Sequence, residues 1–273
     1  MREAVIVSAA RTPIGKAYRG AFNNLESPSM ASVAVKAAVD RSGIDPKEVD
    51  DCIMGAAIQQ GTQGFNLGRQ VAMASGLPVS VAGMTIDRQC SSGLMTIATG
   101  AKHIINDNAP ITIAGGCESI SLVQNEHMNS HRIGDPLTIK NAPMIHMPML
   151  DTAETVAKRY NISREAQDEY AVASQERTAD AQVRGAFDNE IVPVTAIKMI
   201  MNKETGEVTK EEVTLTKDEG NRPGTTIENL ANLKPVRNGP SELFEAMKLI
   251  SKTQKGPDIQ KPSFGCSIKW FKT

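Results

Sequence analysis

Residues 84–94, with the sequence MTIDRQCSSGL, decide the fold of this 273-residue chain. An apolar run ends at Ile86, three polar residues turn, and Cys90 stands at the start of a helical pattern over residues 91–105. Apolar residues recur there at helical spacing, which predicts a buried face formed by Leu94, Ile97, Ala98, Ala101 and Ile105. The stretch therefore predicts a strand, a tight turn and a mostly buried helix.

Cys90 is the candidate nucleophile of this turn. The first N–H groups of a helix have no partner within the helix, and they stabilise an anionic sulfur placed beside them. The small residues of Ser91-Ser92-Gly93 let a substrate or another chain segment approach closely. A thiolate in this place suits attack on an acyl group. The alternative is an inert buried cysteine, and spacing alone does not decide between the two.

Strand and helix patterns alternate around this turn, with Gly or Pro at the breaks. Such alternation predicts a largely parallel sheet covered by helices. The predicted strands are residues 4–8, 51–55, 81–86 and 111–114, and the predicted helices are residues 29–42, 66–75 and 91–105.

The pattern changes near residue 119. Residues 124–150 have no clear period and are predicted to form a loop. Helices are predicted at 152–160 and 163–184, and strands at 191–200 and 211–216 around a turn at 203–206. After Pro235 the composition changes again, because residues 236–273 carry seven basic and three acidic side chains, a net of +4, and the single Trp270.

Composition excludes several classes of protein. Hydrophobic residues make up 40% and charged residues 22%, with a formal net charge of -1, so no global field favours nucleic acid or an anionic membrane. No apolar run approaches the length of a membrane span. The amino terminus enters a strand pattern directly, without a presequence pattern, so we expect a cytoplasmic protein with reduced thiols.

The other cysteines and histidines predict packing or solvated loops. Cys52 lies in an apolar strand and Cys117 follows one, so both are predicted to pack in the core. His127 and His131 have a metal-like spacing, but their segment has a loop composition, so no metal site is predicted. Cys266 lies in the changed carboxy-terminal segment.

These motifs together resemble the thiolase family over residues 1–235. Residues 4–15, AVIVSAARTPIG, resemble the family's first strand and turn, and residues 87–93, DRQCSSG, resemble its nucleophile motif. Residues 66–70 resemble its next helix entry, and residues 114–121, AGGCESIS, resemble its AGGMESMS motif with Cys117 in place of the first Met.

The resemblance implies an α/β fold of the thiolase-like layered type. It implies an N-terminal half, with a mixed sheet covered by helices, and an inserted α+β loop domain. Residues 1–118 would be the domain with the nucleophile, and residues 119–235 the loop domain that binds coenzyme A. Residues 236–273 form a divergent basic tail outside the likeness.

The resemblance also implies a reaction, namely acyl transfer between coenzyme A thioesters in fatty acid metabolism. Cys90 would carry the acyl group as a thioester, and its backbone N–H would form half of an oxyanion hole. Arg222 would contact the adenine end of coenzyme A, and Met149 aligns with the family's Met, whereas His146 stays unassigned. Coenzyme A is a substrate, so no cofactor is expected, and the full-length family is homo-oligomeric.

The sequence also departs from the family. The NASGxNDGAA stretch and the later Asn-Glu-Ala-Phe, Gly-His-Pro and Cys-Gly-Gly-Gly motifs do not occur, and Gly265-Cys266-Ser267 lacks the glycines of the last one. In the family they supply the activating His, one oxyanion hole and the acid/base Cys. We therefore expect impaired turnover. A non-catalytic acyl-CoA or lipid-binding module and an inactive truncated thiolase are the alternatives, and a ketoacyl-synthase type of condensing enzyme fits the motifs less well.

Overall fold

The computed structural model describes residues 2–234, which form two compact units. The first comprises the residues up to Met128 and Gln182–Asn221, and the second comprises Asn129–Ala181 and the described residues from Arg222 onward. The segment 236–273, with Cys266 and Trp270, lies outside the described residues. The domain boundaries at 118 and 235 that the sequence suggested stay a prediction.

The helices are α1 (Ser27–Ser42), α2 (Leu67–Ala74), α3 (Ser92–Asn106), α4 (Ile120–Val123), α5 (Pro136–Asn141), α6 (Met149–Arg159), α7 (Arg164–Val183) and α8 (Ile227–Ala231). The strands are β1 (Val49–Gly55), β2 (Ala82–Ile86), β3 (Ile111–Gly116), β4 (Val194–Met201) and β5 (Val208–Leu215). No helix between residues 2 and 234 is both long enough and apolar enough to cross a membrane.

A parallel sheet with the strand order β2-β1-β3 forms the centre of the first unit. This arrangement confirms the parallel sheet and the α/β class that the alternating pattern predicted. Side chains alternate between the two faces of a strand. Cys52 and Met54 of β1 accordingly pack in a core with residues of α1 and α2, while Gly55 faces α3.

The core on the α1 and α2 face is aliphatic. Helix α1 buries residues spaced four apart, and these pack against buried residues of α2, the strands and the adjoining loops. The core consists of Ala31, Val35, Val39, Val49, Cys52, Met54, Ala56, Leu67, Val71, Ala72, Leu77 and Val81. Gly68 brings α2 against the strand backbones, because a Cβ there would lie 2.6 Å from the Cys52 carbonyl oxygen and closer still to that of Met84. The distance between α2 and the sheet is therefore set by main-chain atoms of the strands.

Helix α3 covers the opposite face with its small residues, not with its apolar stripe. Ser92, Thr96 and Gly100 are buried, whereas Leu94 is 73% exposed and Ile97 is 43% exposed. The predicted buried apolar face is therefore wrong. The glycine-rich strand ends explain the difference, because they offer backbone at close range and leave no room for large side chains.

The amino-terminal run and the 124–150 segment also differ from prediction. The amino-terminal run is exposed, with Val5 at 72%, Ile6 at 79% and Val7 at 67%. It forms no strand, because none of the described strands pairs with it. Residues 124–150 contain α5 and the start of α6, so they are not a continuous loop. The Asp135 side chain, which accepts a 2.7 Å bond from the Thr138 N–H, caps α5.

The predicted hairpin is confirmed. Strands β4 and β5 pair antiparallel from Val194↔Leu215 to Met201↔Val208, and the inner face packs on Ala21 and Phe22.

A charged cluster holds the turn after the amino-terminal run. The Arg11 guanidinium donates two bonds to Asp218, of 2.8 and 3.0 Å, and one of 2.6 Å to Glu190. Asp218 Oδ1 also accepts the Ile14 N–H at 2.8 Å. The hydrogen bonds from Arg11 lower the pKa of Asp218, more than its partial burial raises it.

We expect Asp218→Asn to lower the free energy of unfolding at pH 7 by about 1.5–3 kcal/mol, the usual worth of hydrogen bonds to a charged group. Because the folded-state pKa lies below the unfolded value, this stabilisation is present at neutral pH and is lost as pH falls below about 4. Urea denaturation of both proteins from pH 7 to pH 3 measures it.

Asp40→Asn is the matched control. Asp40 pairs with Lys36 at 2.8 Å on the surface of α1, with both side chains at least 60% exposed. Its loss should cost less than about 0.5 kcal/mol. A pH-independent difference between Asp218→Asn and the unmodified protein contradicts the proposed role of the charge.

Candidate active site

Cys90 lies at the carboxyl end of β2, in the turn that leads into α3. The residue is exposed and directly precedes Ser91, which is the N-cap residue of α3. Gln89 has a φ of 50°, a left-handed conformation that a non-glycine residue adopts only when the surroundings impose it. Strain of this kind beside a potential nucleophile is typical of functional turns.

Short hydrogen bonds fix the turn on both sides of the thiol. The Gln89 N–H donates to Asp87 Oδ1 at 2.7 Å, and the Ser91 N–H donates to the Arg88 carbonyl at 3.2 Å. The Ser92 hydroxyl accepts the Arg88 N–H at 2.8 Å. Cys90 is therefore presented to solvent by a closed turn at the N-terminus of a 15-residue helix.

The other described thiols are less accessible, since Cys52 is buried and Cys117 is half-buried. Cys52 is fully buried, as the sequence predicted, and burial raises its pKa to about 12. The Cys117 sulfur donates to the Ser27 carbonyl at 3.6 Å, and burial likewise raises its pKa to about 12. Both thiols stay protonated at neutral pH, and Cys90 is the exposed thiol among residues 2–234.

A buried amide and a half-buried carboxylate, which sequence reasoning missed, join the segments that follow β1 and β3. Gln63 is fully buried and donates to Glu118 Oε1 at 2.6 Å, while Glu118 Oε2 accepts the Ala57 N–H at 2.8 Å. The Ser119 N–H donates to Gln63 Oε1 at 2.5 Å. These hydrogen bonds fix the loops that follow β1 and β3. In the sequence, the only indication of this network was Glu118 within the 114–121 motif.

The two residues assigned to coenzyme A lie in the second unit, whereas Cys90 lies in the first. Met149 begins α6 and is 56% exposed. The Arg222 backbone is held by Gln175, whose Oε1 accepts its N–H at 2.8 Å, and by the Thr225 hydroxyl, which donates to its carbonyl at 2.8 Å. The Arg222 side chain is exposed, and its guanidinium makes no hydrogen bond or ion pair within the described chain. His146 is half-buried.

The histidines offer no metal site in the described part of the chain. His127 and His131 are both exposed, in turns and loops. Across residues 2–234 no three His, Cys, Asp or Glu side chains are grouped so that they could hold a metal ion.

Comparison with known proteins places this chain in a family. A family model described as "Thiolase, N-terminal domain" matches residues 4–240. The chain belongs to the thiolase family. The 3-ketoacyl-CoA thiolase of Bacillus subtilis is 40% identical over 237 residues, which cover 86% of this chain and 60% of that thiolase. The acetyl-CoA acetyltransferase of Cupriavidus necator is 38% identical over 248 residues, with the same coverage.

The structural comparison agrees with the sequence comparison. The crystal structure of the Bacillus anthracis acetyl-CoA acetyltransferase matches with a TM-score of 0.70 and 36% identity, covering 86% of this chain and 59% of that one. The fold is therefore that of the N-terminal part of a thiolase, as the motifs implied. The chain spans about 60% of the length of the curated thiolases it matches.

Proposed function

We propose that this thiolase-family chain transfers acyl groups between coenzyme A thioesters through a thioester on Cys90. The observation that carries the proposal is the exposed thiol in a strained, hydrogen-bonded turn at the N-terminus of α3. In the first step the sulfur of Cys90 attacks the 3-oxo carbon of a 3-oxoacyl-CoA and forms an S–C bond. The C2–C3 bond then breaks, and the carbanion of acetyl-CoA that leaves takes up a proton. In the second step the thiol of free coenzyme A takes the acyl group from Cys90.

The proposal extends to binding and location. Met149 and Arg222 contact coenzyme A, and the exposed guanidinium of Arg222 suits an anionic, nucleotide-containing ligand. Coenzyme A is consumed and released, so the reaction needs no cofactor. The exposed apolar residues of α3 support association of copies of the protein, and the free thiols support a cytoplasmic location.

Acylation by acetoacetyl-CoA tests the proposal. The protein is incubated with this thioester, and intact-mass and peptide mass spectrometry locate any added acetyl group. We expect the label on Cys90, none in Cys90→Ala, and unchanged labelling in the control Cys117→Ala, because Cys117 is half-buried and its raised pKa keeps it protonated. Binding of acetoacetyl-CoA without any acylated protein contradicts acyl transfer and favours the alternative of an acyl-CoA-binding module.

A further inference from the structure

The turn that presents Cys90 is closed from the inside by one buried hydroxyl group. Ser92 is 2% exposed, and its Oγ accepts the Arg88 N–H at 2.8 Å and donates to the Gln89 carbonyl at 2.5 Å. Arg88 and Gln89 are the two residues that precede Cys90. The hydroxyl is therefore the hydrogen-bond partner of the Arg88 N–H and a second partner of the Gln89 carbonyl, which also accepts the Ser92 N–H at 3.0 Å.

Two strand ends hold Ser92 in place. A Cβ on Gly55, the last residue of β1, would lie 2.5 Å from the Ser92 carbonyl carbon and 2.6 Å from the Gly93 nitrogen. A Cβ on Gly116, the last residue of β3, would lie 3.1 Å from the Gly93 Cα. The first turn of α3 thus rests directly on main chain, and Ser92 has no space in which to shift toward the sheet.

The neighbouring serine does not share this role. The Ser91 hydroxyl donates to the Arg88 carbonyl at 2.8 Å, but it is exposed. Water can replace an exposed hydrogen bond at little cost, whereas an unpaired buried N–H or carbonyl group costs about 1–3 kcal/mol. Loss of the Ser92 hydroxyl leaves the Arg88 N–H without this partner, which weakens the turn. Loss of the Ser91 hydroxyl leaves the Arg88 carbonyl still bonded to the Ser91 N–H at 3.2 Å.

We propose that Ser92 is a positioning residue for Cys90. Its hydroxyl holds residues 88 and 89 in the conformation from which the exposed Cys90 leads into α3, and it touches no substrate. The importance of this placement for acyl transfer rests on the function proposed above. The placement itself is measurable without that function.

Ser92→Ala is compared with Thr96→Ala in the 273-residue chain. Thr96 is also fully buried on the same face of α3, and its hydroxyl donates to the Gly115 carbonyl at 2.8 Å, one turn away from residues 88 and 89. Both variants lose a buried hydroxyl, so both lose stability. Only Ser92→Ala should release the turn.

Three measurements detect whether the turn that precedes Cys90 is released. Amide exchange by NMR should show the Arg88 N–H protected in the unmodified protein and in Thr96→Ala, and at least tenfold faster in Ser92→Ala. The rate of Cys90 alkylation by iodoacetamide should differ about threefold between Ser92→Ala and Thr96→Ala, because the released turn no longer holds residue 90 in one position. Acylation by acetoacetyl-CoA should fall about tenfold to a hundredfold, the usual effect of a misplaced reacting group.

The outcomes separate this proposal from the proposed function. A fast-exchanging Arg88 amide in the unmodified protein overturns the positioning role, whether or not Ser92→Ala folds. Equal alkylation rates in Ser92→Ala and Thr96→Ala overturn it as well. If the unmodified protein is never acylated while exchange and alkylation change as expected, the acyl-transfer function fails and the positioning role of Ser92 stands.

Discussion

A polypeptide of these 273 residues is expected to take an acyl group onto Cys90 once and then turn over at least about a thousandfold more slowly than the full-length Bacillus subtilis 3-ketoacyl-CoA thiolase. The sequence holds the proposed nucleophile but not the family motifs for the activating His, the acid/base Cys and one oxyanion hole. Loss of one oxyanion donor costs about 10²–10³ in rate, and loss of a general acid or base costs about 10²–10⁴. The losses do not simply add, since these groups act as a unit.

Loss of acetoacetyl-CoA absorbance in the presence of free coenzyme A measures this rate. Cys90→Ala sets the background, and the Bacillus subtilis enzyme sets the upper reference under the same conditions. Sustained multiple turnovers by the 273-residue polypeptide, absent in Cys90→Ala, would show that other residues supply the acid and base.

Gly68→Ala should have the largest effect on the fold, a loss of about 3 kcal/mol or more in the free energy of unfolding. The added Cβ would stand 2.6 Å from the Cys52 carbonyl oxygen and nearer still to the Met84 carbonyl oxygen. These atoms belong to strand backbones and cannot rotate away. Alanine improves helix propensity by only about 1 kcal/mol over glycine, so the steric cost dominates.

Gly220→Ala is the control for this substitution. Gly220 is exposed, and a Cβ there would meet nothing within 4 Å. Its stability should change by less than about 0.5 kcal/mol. Urea denaturation followed by circular dichroism compares the two variants, and a Gly68→Ala protein as stable as Gly220→Ala would refute the backbone contact.

The sequence was sufficient to predict the central sheet, because each strand is a short apolar run with its own turn signals. It was misleading for residues 4–8, where an equally apolar run forms no strand, since a strand also needs a partner that the local sequence does not encode. It was misleading again for α3. Helical periodicity identifies the apolar face, but not whether the neighbouring sheet offers side chains or bare backbone.

The site was predictable in part for a similar reason. Cys90 stood out because a reactive residue type follows a strand and begins a helix. Ser92 did not, because its role depends on the positive φ of Gln89 and on the contact with Gly55, which lies 37 positions earlier in the chain. Contacts between residues so far apart appear only once the strands and helices are in place.

The packing of α3 on glycine also bears on how this protein can diverge in sequence. Because Gly55, Gly93 and Gly116 meet through main-chain atoms, the depth of the first turn of α3 on the sheet does not depend on the size of an aliphatic side chain, whereas Gly100 further along rests on the Thr112 and Ala114 side chains. The aliphatic residues between the sheet and α1 and α2 can thus be exchanged over many generations while Cys90 keeps its height above the strand ends. Substitutions in this aliphatic core therefore leave the position of Cys90 unchanged, provided that these few glycines are retained.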